Sequence, residues 1–129
     1  MQLIFAIAAG GATGAVLRHL MAGAVNRLMG SDLPVGTLSV NVLGCLLLGL
    51  LTGLLALRVT LSAEVRAFLS VGMLGGFTTF STFAMQGGLL IERGQMGIAT
   101  LYMIGSIVLG LGAFMLGLWA VRVFAGAPA

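Results

Sequence analysis

Apolar residues fill four long stretches of the chain, and short polar or turn-forming segments separate them. The predicted stretches run from about Gln2 to Leu28, Gly36 to Leu57, Glu64 to Glu92 and Gly97 to Phe124. Each stretch reaches the roughly 20 mostly apolar residues that an α-helix needs to cross a bilayer. Pro34 suits the start of the second helix, because its missing N–H would be unpaired there anyway. The pattern predicts a single domain, residues 1–129, of four transmembrane helices.

The composition places these helices in a membrane. Of the 129 residues, 60% are hydrophobic and only 7% are charged, whereas a soluble domain has about 25% charged residues. Nine charged side chains cannot cover the apolar surface of a soluble protein, and the same composition excludes a disordered chain. We therefore expect an all-α, multi-pass protein of the cell (inner) membrane.

The scarcity of charged groups also limits the function. A net charge of +3 on scattered arginines argues against a nucleic-acid-binding surface. His19 is the only histidine, and Asp32, Glu64 and Glu92 are the only acids. We therefore do not expect an enzyme that uses several acid, base or metal-binding side chains.

The arginines are almost evenly divided between the two ends of the helices. Four spans place both termini on one side. That side carries Arg58, Arg66 and Arg122, and the opposite side carries Arg27 and Arg93, with Arg18 in the membrane near it. Because an excess of basic residues normally orients a membrane protein, this near-balance leaves two interpretations open. Either one arginine decides the orientation, or the protein inserts both ways and forms an antiparallel dimer.

Pairs of glycines four residues apart occur in three of the predicted helices. They are Gly10 and Gly14, Gly49 and Gly53, and Gly72 and Gly76. This spacing lets membrane helices approach closely. A tight four-helix bundle leaves little room for a lumen, so an ion path fits better at a subunit interface.

The third predicted span contains a segment that is poorly suited to a regular helix. Residues 72–83 read GMLGGFTTFSTF, with three glycines and four hydroxyl residues. Glycine destabilises a helix by about 1 kcal/mol relative to alanine, and threonine is also a weak helix former. A continuous helix remains possible if the hydroxyls bond to their own carbonyls. The Gly75–Gly76 pair followed by two threonines favours a break, whose freed groups can bind ions.

The aromatic residues of this segment have a regular spacing. Phe77, Phe80 and Phe83 are three residues apart, so they would lie near one face if the chain after the break is helical. Such rings usually pack in a core or face lipid. Their positively polarised edges can also meet an anion without holding it as a full charge would.

A few polar side chains lie inside the other spans. Asn41 is the strongly polar residue of the second span. It either serves as a functional group or forms a hydrogen bond that joins two helices. Tyr102 and Ser106 are four residues apart and share a helix face. Arg18 lies about two turns inside the first span and must extend to the surface, pair, or face a wet vestibule.

These motifs together resemble the CrcB or Fluc family of small bacterial fluoride channels along essentially the whole chain. The resemblance is strongest in the second and third spans. It is carried by Gly14, Ala15 and Arg18, then Pro34, Gly36, Thr37, Leu38, Val40, Asn41 and Gly44, then Gly72, Gly75, Gly76 and Thr78 to Phe83, and finally Tyr102 and Ser106. The chain departs from many relatives at Ala84 and Gln86, where they have Ser and Glu, and at Gly110, where some have a hydroxyl residue.

The resemblance implies a fold and a function. It implies an antiparallel (dual-topology) homodimer that passively exports fluoride through two pores at the subunit interface and so relieves fluoride toxicity. It also implies one structural sodium ion at the centre, which Gly75 and Thr78 of both subunits hold through backbone carbonyls.

The resemblance also implies roles along the fluoride pathway. Phe80 and Phe83 line the pores, and Asn41 donates a hydrogen bond to fluoride. The expected polar lining or entrance consists of Thr37, Ser81, Tyr102 and Ser106, with Arg18 near the aqueous vestibule.

Two other functions are compatible with four small spans. A proton-coupled exporter of the multidrug type normally needs a carboxylate inside the membrane, but Asp32, Glu64 and Glu92 all fall at predicted helix ends. A non-conducting subunit of a membrane assembly would leave Asn41 and the broken span unexplained.

Overall fold

The computed structural model describes residues 1–57 and 59–125, and every regular element in these ranges is helical. The helices are α1 (Gln2–Met29), α2 (Val35–Ala56), α3 (Ala63–Ala67), a π-helical segment (Phe68–Leu74), α4 (Gly75–Phe77), α5 (Phe80–Glu92) and α6 (Met96–Phe124). The third span, Ala63–Glu92, comprises the elements from α3 to α5, and all four spans are long and apolar enough to cross a membrane. The predicted all-helical membrane fold is confirmed. Arg58, one of the arginines assigned to the terminus side, lies outside the described residues.

The turn between α1 and α2 is fixed by local hydrogen bonds. Gly30 ends α1 in the left-handed conformation (φ 51°, ψ 35°), which glycine adopts without a steric penalty. The Asn26 side chain accepts a hydrogen bond of 2.8 Å from the Gly36 amide. Pro34 immediately precedes α2, as the sequence predicts. The two helices are thereby held antiparallel with a short connection.

Glycines allow α1 to contact the backbone of the third span. A methyl group on Gly14 would overlap the Met73 carbonyl, and one on Gly10 would overlap the Phe68 carbonyl. On the facing side, a methyl on Gly76 would lie 2.6 Å from the Gly11 carbonyl. Close approach at these predicted glycines is confirmed.

The α2 and α6 helices approach each other in the same way. A methyl group on Gly49 would overlap the Phe114 carbonyl, and one on Gly53 would lie 2.8 Å from Val121 Cβ. Gly117 of α6 contacts the backbone near Leu46. Side-chain volume is absent at these crossings, so the backbones themselves form the packing surface.

The third span is broken in the middle. The π-helical segment leads into the single turn of α4, and the backbone then becomes extended at Thr78 (φ −82°, ψ 158°) and Thr79 (φ −151°, ψ 116°). The α5 helix begins again at Phe80, with Thr79 as its N-cap. The break lies at the two threonines that follow Gly75 and Gly76, which confirms the prediction.

Candidate functional site

Asn41 on α2 contacts the break in the third span through both ends of its amide. The Thr79 amide donates to Asn41 Oδ1 at 2.8 Å, and Asn41 Nδ2 donates to the Thr79 carbonyl at 3.1 Å. The side chain therefore pairs with both backbone groups of the extended Thr79. The second hydrogen of Asn41 Nδ2 is not used in these two bonds and can be donated to another group.

The hydrogen bond from the Thr79 amide to Asn41 also releases the Gly75 carbonyl. A regular α-helix would direct the Thr79 amide to the carbonyl four residues earlier, which belongs to Gly75. That amide instead donates to Asn41. Gly75 is exposed, and a methyl group there would meet only the Ser70 carbonyl, at 3.7 Å. The Gly75 carbonyl thus loses its helical partner at an open surface of the bundle.

The Thr78 carbonyl is also released from helical bonding. The Thr82 amide, its partner in a regular helix, donates to Thr79 Oγ1 at 3.2 Å. Arg18 Nη1 on α1 donates to the Thr78 carbonyl at 3.2 Å. Arg18 is therefore tied to the break, with its guanidinium beside the Thr78 carbonyl.

A groove with a volume of about 330 Å³ runs along the outside of the break. Its surface is mainly apolar, and the predicted site residues that line it are Asn41, Gly75, Thr78, Phe80, Phe83 and Ser106. The Ser106 hydroxyl donates to the Tyr102 carbonyl at 2.6 Å. Its hydrogen is thereby used within α6, and its oxygen remains an acceptor.

The aromatic rings form a short row beside this groove. The ring centroids of Phe80 and Phe83 are 5.5 Å apart, with planes inclined by 39°. The next pair, Phe83 and Tyr102, has a centroid separation of 5.4 Å. Phe80 is 79% exposed, whereas Tyr102 is 1% exposed. The row therefore extends from the buried α5–α6 contact to the open surface of the chain.

The hydroxyl groups at the start of α5 form a connected cluster. Thr79 Oγ1 donates to Thr82 Oγ1 at 3.0 Å and lies 3.3 Å from Ser81 Oγ. Because the single Thr79 hydrogen goes to Thr82, the Ser81 hydroxyl is the donor in the second contact. Ser81 itself is exposed and does not line the groove.

A second pocket, the Arg18 pocket, adjoins the groove at Thr79 and has a volume of about 430 Å³. Its polar lining consists of Arg18, His19, Asn26, Thr37, Thr82 and Gln86, with Thr79 shared. Thr37 is buried and reaches this pocket rather than the groove. Tyr102 is buried behind the pocket, where its hydroxyl donates to Gln86 Oε1 at 2.9 Å.

A third pocket, the Arg66 pocket, adjoins the other end of the groove. Its volume is about 600 Å³, and it shares Leu48 and Ser70 with the groove. It includes the C-terminal end of α2, whereas the Arg18 pocket includes the C-terminal half of α1 and the N-terminal half of α2. The groove therefore connects two pockets at opposite ends of the bundle, each containing an arginine.

The carbonyl oxygens at the break suit a hard cation. Among residues 1–57 and 59–125, no three His, Cys, Asp or Glu side chains come together. Backbone carbonyl oxygens, which small hard cations prefer, are available at Gly75 and Thr78. The Thr78 oxygen has a second lone pair beyond its bond to Arg18. The nearby guanidinium weakens the attraction of that oxygen for a cation, so the Gly75 carbonyl is the better cation ligand.

The structure thus brings Asn41, Phe80, Phe83 and Ser106 to one groove, places Arg18 and Thr37 in the adjoining pocket, and leaves Ser81 outside both. Sequence reasoning missed the contact between Gln86 and Tyr102. Gln86 lies one turn after Thr82 on α5, so helical spacing could have placed both on one face.

Comparison with known proteins identifies the family. The sequence profile described as "CrcB-like protein, Camphor Resistance (CrcB)" matches residues 5–118. A protein of Nitrobacter hamburgensis named "Fluoride-specific ion channel FluC 1" is 50% identical over 120 residues, which cover 93% of this chain and 95% of the relative. The "Fluoride-specific ion channel FluC" of Nitrobacter winogradskyi has the same identity and coverage. That of Agrobacterium fabrum is 46% identical over 112 residues, covering 87% of this chain and 90% of the relative. The protein therefore belongs to the CrcB family.

Proposed function

We propose that this protein is a fluoride-selective ion channel that passively exports fluoride across the bacterial inner membrane. The observation that carries the proposal is the bond between Asn41 and the broken third span, beside a groove lined by Phe80 and Phe83. The relatives named as fluoride-specific ion channels support the choice of ion. The protein is a channel and not an enzyme.

The chemistry of the groove suits a small, strongly hydrated anion. Removing water from such an ion is costly unless other donors replace the hydration shell. The remaining Asn41 amide hydrogen is a neutral donor, and the edges of Phe80 and Phe83 carry partial positive charge. Neutral donors bind an anion weakly enough to let it leave, which conduction requires.

The two arginine pockets suit a path across the whole membrane. Arg18 and Arg66 lie in pockets at opposite ends of the groove. A positive charge at each end attracts anions from both aqueous phases. No positive side chain lines the groove itself, within the described residues, so an anion is not trapped midway.

The active form is a homodimer of antiparallel subunits with a pore on each side of the interface. The support comes from the Gly75 carbonyl, which has lost its helical partner at an exposed position. A released carbonyl inside a membrane must be covered by protein or lie beside water. A second copy placed over Gly75 and the 79% exposed Phe80 would cover both and close the groove into a pore.

A structural sodium ion fits at this interface. The Gly75 and Thr78 carbonyls of both subunits would hold it, and the bound ion would supply fixed positive charge between the two anion paths. Thr78→Ser keeps the hydroxyl that donates to the Leu74 carbonyl at 3.1 Å, so we expect this variant to conduct. Gly75→Val places a branched side chain where the second copy approaches, so we expect no dimer and no conduction.

The proposal is tested by ion efflux from liposomes that contain the purified protein. We expect fluoride efflux, much slower chloride efflux, and fluoride efflux that persists when the proton gradient is collapsed. Equal efflux of both anions, or dependence on protons, would contradict the proposal. The proton-coupled alternative is disfavoured because Asp32, Glu64 and Glu92 lie in a loop or at helix ends.

Elemental analysis tests the cation separately. After dialysis into sodium-free buffer, we expect one retained sodium ion for every two chains of the wild type and of Thr78→Ser. A wild-type dimer that conducts fluoride without retained sodium would exclude the cation and leave the channel function intact.

A further inference from the structure

One face of α1 lines the Arg18 pocket over about three turns. The residues of this face recur at the three- and four-residue spacing of a helix, and they are Ala15, Arg18, His19, Ala22, Gly23 and Asn26. Ala15, Ala22 and Gly23 have little or no side chain, so the pocket stays open beside Arg18 and His19. His19 is exposed, whereas Arg18 is half-buried. The only histidine of the chain therefore lies at the open side of this pocket.

The charges of Arg18 and His19 respond differently to pH. Arg18 Nη1 donates to the Thr78 carbonyl at 3.2 Å, and a guanidinium is not deprotonated in proteins. A histidine side chain ordinarily changes its charge between pH 5 and 8. The pocket therefore holds one permanent positive charge, which is tied to the break, and gains a second one in acid.

The groups that face His19 from the other helices are neutral. Within the described chain, α2, the break and α5 contribute only uncharged residues to the pocket: Thr37, Val40, Thr79, Thr82 and Gln86. Tyr102 of α6 contacts Gln86 from behind, and a tyrosine hydroxyl ordinarily stays neutral over this range of pH. The π-helical segment and α4, which also pack against α1, carry no titratable side chain.

The remaining charged residues near α1 lie at helix ends or in connectors. Those at the same end of the bundle as the Arg18 pocket are Arg27, Asp32, Glu92 and Arg93, and those of α3, at the opposite end, are Glu64 and Arg66. Arginine and carboxylate side chains ordinarily keep their charge between pH 5 and 8. Within the part of the chain that the structure describes, no carboxylate lines the pocket, so a neighbouring acid does not neutralise a proton on His19.

We propose that His19 makes the Arg18 pocket a pH-sensitive entrance to the fluoride pathway, so that fluoride flux rises as the pH falls. The inference rests on the proposed function. A protonated imidazole adds a positive charge beside Arg18 and draws fluoride into the pocket, whereas a neutral imidazole leaves this task to Arg18 alone. Because the added charge sits on an exposed side chain beside the path, it raises the rate of entry without trapping the ion.

The test measures the initial rate of fluoride efflux from liposomes at about pH 5.5 and at about pH 8, on either side of the ordinary histidine titration. The pH is equal inside and outside, so that no proton gradient exists. The leak from protein-free liposomes is subtracted at each pH, because hydrogen fluoride crosses bilayers.

The expected effect follows from the attraction between two unit charges in water. A charge that acts over about 5–10 Å changes the local concentration of a monovalent anion by about two- to fourfold. At low salt and at fluoride concentrations below saturation, we therefore expect the wild type to be about two- to fourfold faster at the lower pH. In about 1 M salt of an impermeant anion this difference should disappear, since the Debye length falls to about 3 Å.

Two substitutions hold the charge at position 19 constant. His19→Gln removes the titrating group, so we expect a ratio of about one between its rates at the two pH values. His19→Lys keeps a positive charge at both pH values, so we expect a ratio of about one here as well. At the higher pH, His19→Lys should be faster than His19→Gln, because only the lysine adds a charge to the pocket.

The double variant His19→Gln with Gln2→His is the matched control. Gln2 is exposed, begins α1 and lies outside the groove and both arginine pockets. A histidine at this position should leave the ratio of the two rates at about one. A ratio restored to the wild-type value would overturn the inference, because the pH effect would then not depend on the Arg18 pocket.

A wild type with equal rates at both pH values would overturn the inference and leave the channel function intact. His19→Gln with the wild-type ratio, even if uniformly slower, would also overturn it, since that result assigns His19 to structure alone. If His19→Gln does not fold, as judged by its elution in detergent, His19→Lys decides: the wild-type ratio overturns the inference and a ratio of about one supports it. A wild type that fails to conduct fluoride would overturn the proposed function and this inference with it.

Discussion

Asn41 and Thr79 pair through two hydrogen bonds: the side-chain amide of Asn41 donates to the Thr79 carbonyl and accepts from the Thr79 amide. The pair joins α2 to the point where the third span is extended. Because these bonds replace helical ones, Asn41 stabilises the break as well as facing the groove. A single residue thereby links the stability of the fold to the composition of the candidate pathway.

Asn41→Asp keeps the hydrogen-bond acceptor at this position and removes the hydrogen-bond donor. The carboxylate can still accept from the Thr79 amide, but it cannot donate to the Thr79 carbonyl, and its charge repels an anion in the groove. We expect fluoride efflux to fall to the background of protein-free liposomes. We also expect a loss of about 1–3 kcal/mol in the free energy of unfolding, because a buried carbonyl is left unpaired. Thermal unfolding in detergent measures the second effect, and efflux at the wild-type rate would contradict a role for Asn41 in permeation.

The aromatic pair is tested by Phe80→Ile and Phe83→Ile. An aliphatic side chain fills similar space but lacks the positive ring edge, so we expect each variant to slow fluoride efflux by tenfold or more, on the order of 1.4 kcal/mol. Phe83→Ile should also lower thermal stability, because Phe83 packs on Tyr102 with centroids 5.4 Å apart. Phe80 is 79% exposed in the single chain and should affect stability less.

Phe5→Ile is the control for the aromatic pair, since Phe5 is 67% exposed on α1 and lies outside the groove and both arginine pockets. Its efflux should match that of the wild type. Unchanged efflux in both Phe80→Ile and Phe83→Ile would assign these rings to packing alone.

The close contact between α1 and the third span predicts that Gly14→Ala is strongly destabilising. The added methyl group would overlap the Met73 carbonyl, and a backbone atom cannot move aside as a flexible side chain can. We expect a loss of about 1–3 kcal/mol or failure to fold. Gly112→Ala is the comparison: a methyl group there meets no atom within 4 Å, so helix propensity should leave stability equal or higher by up to about 1 kcal/mol. Equal unfolding temperatures for the two variants would contradict the close contact between α1 and the third span at Gly14.

Insertion in both orientations is tested in a Cys45→Ala background with one new cysteine at Ser31, an exposed residue between α1 and α2. An antiparallel dimer requires some chains with this loop outside and some with it inside. We expect an impermeant thiol reagent to label part of the Ser31→Cys population in intact spheroplasts and the rest after permeabilisation. Labelling confined to one side would exclude the antiparallel dimer.

Local patterns in the sequence were sufficient to predict the helices. Length and apolar content identify the four spans, because a bilayer requires both. The weak helix formers between Gly75 and Thr79 also predict the break, and the glycine pairs predict where backbones meet. These features depend on neighbouring residues, and the structure confirms them.

The partners of the polar groups were decided by the tertiary structure. The sequence is compatible with Asn41 either as a functional donor or as a residue that hydrogen-bonds between helices, and only the fold shows that it pairs with Thr79. The contacts of Arg18 with the Thr78 carbonyl and of Tyr102 with Gln86 also join different helices. One sequence position can face several partners, and the choice depends on how the helices cross. The sequence alone determined a four-span membrane protein with a broken third span, whereas the packing of its glycines determined which polar groups meet at that break.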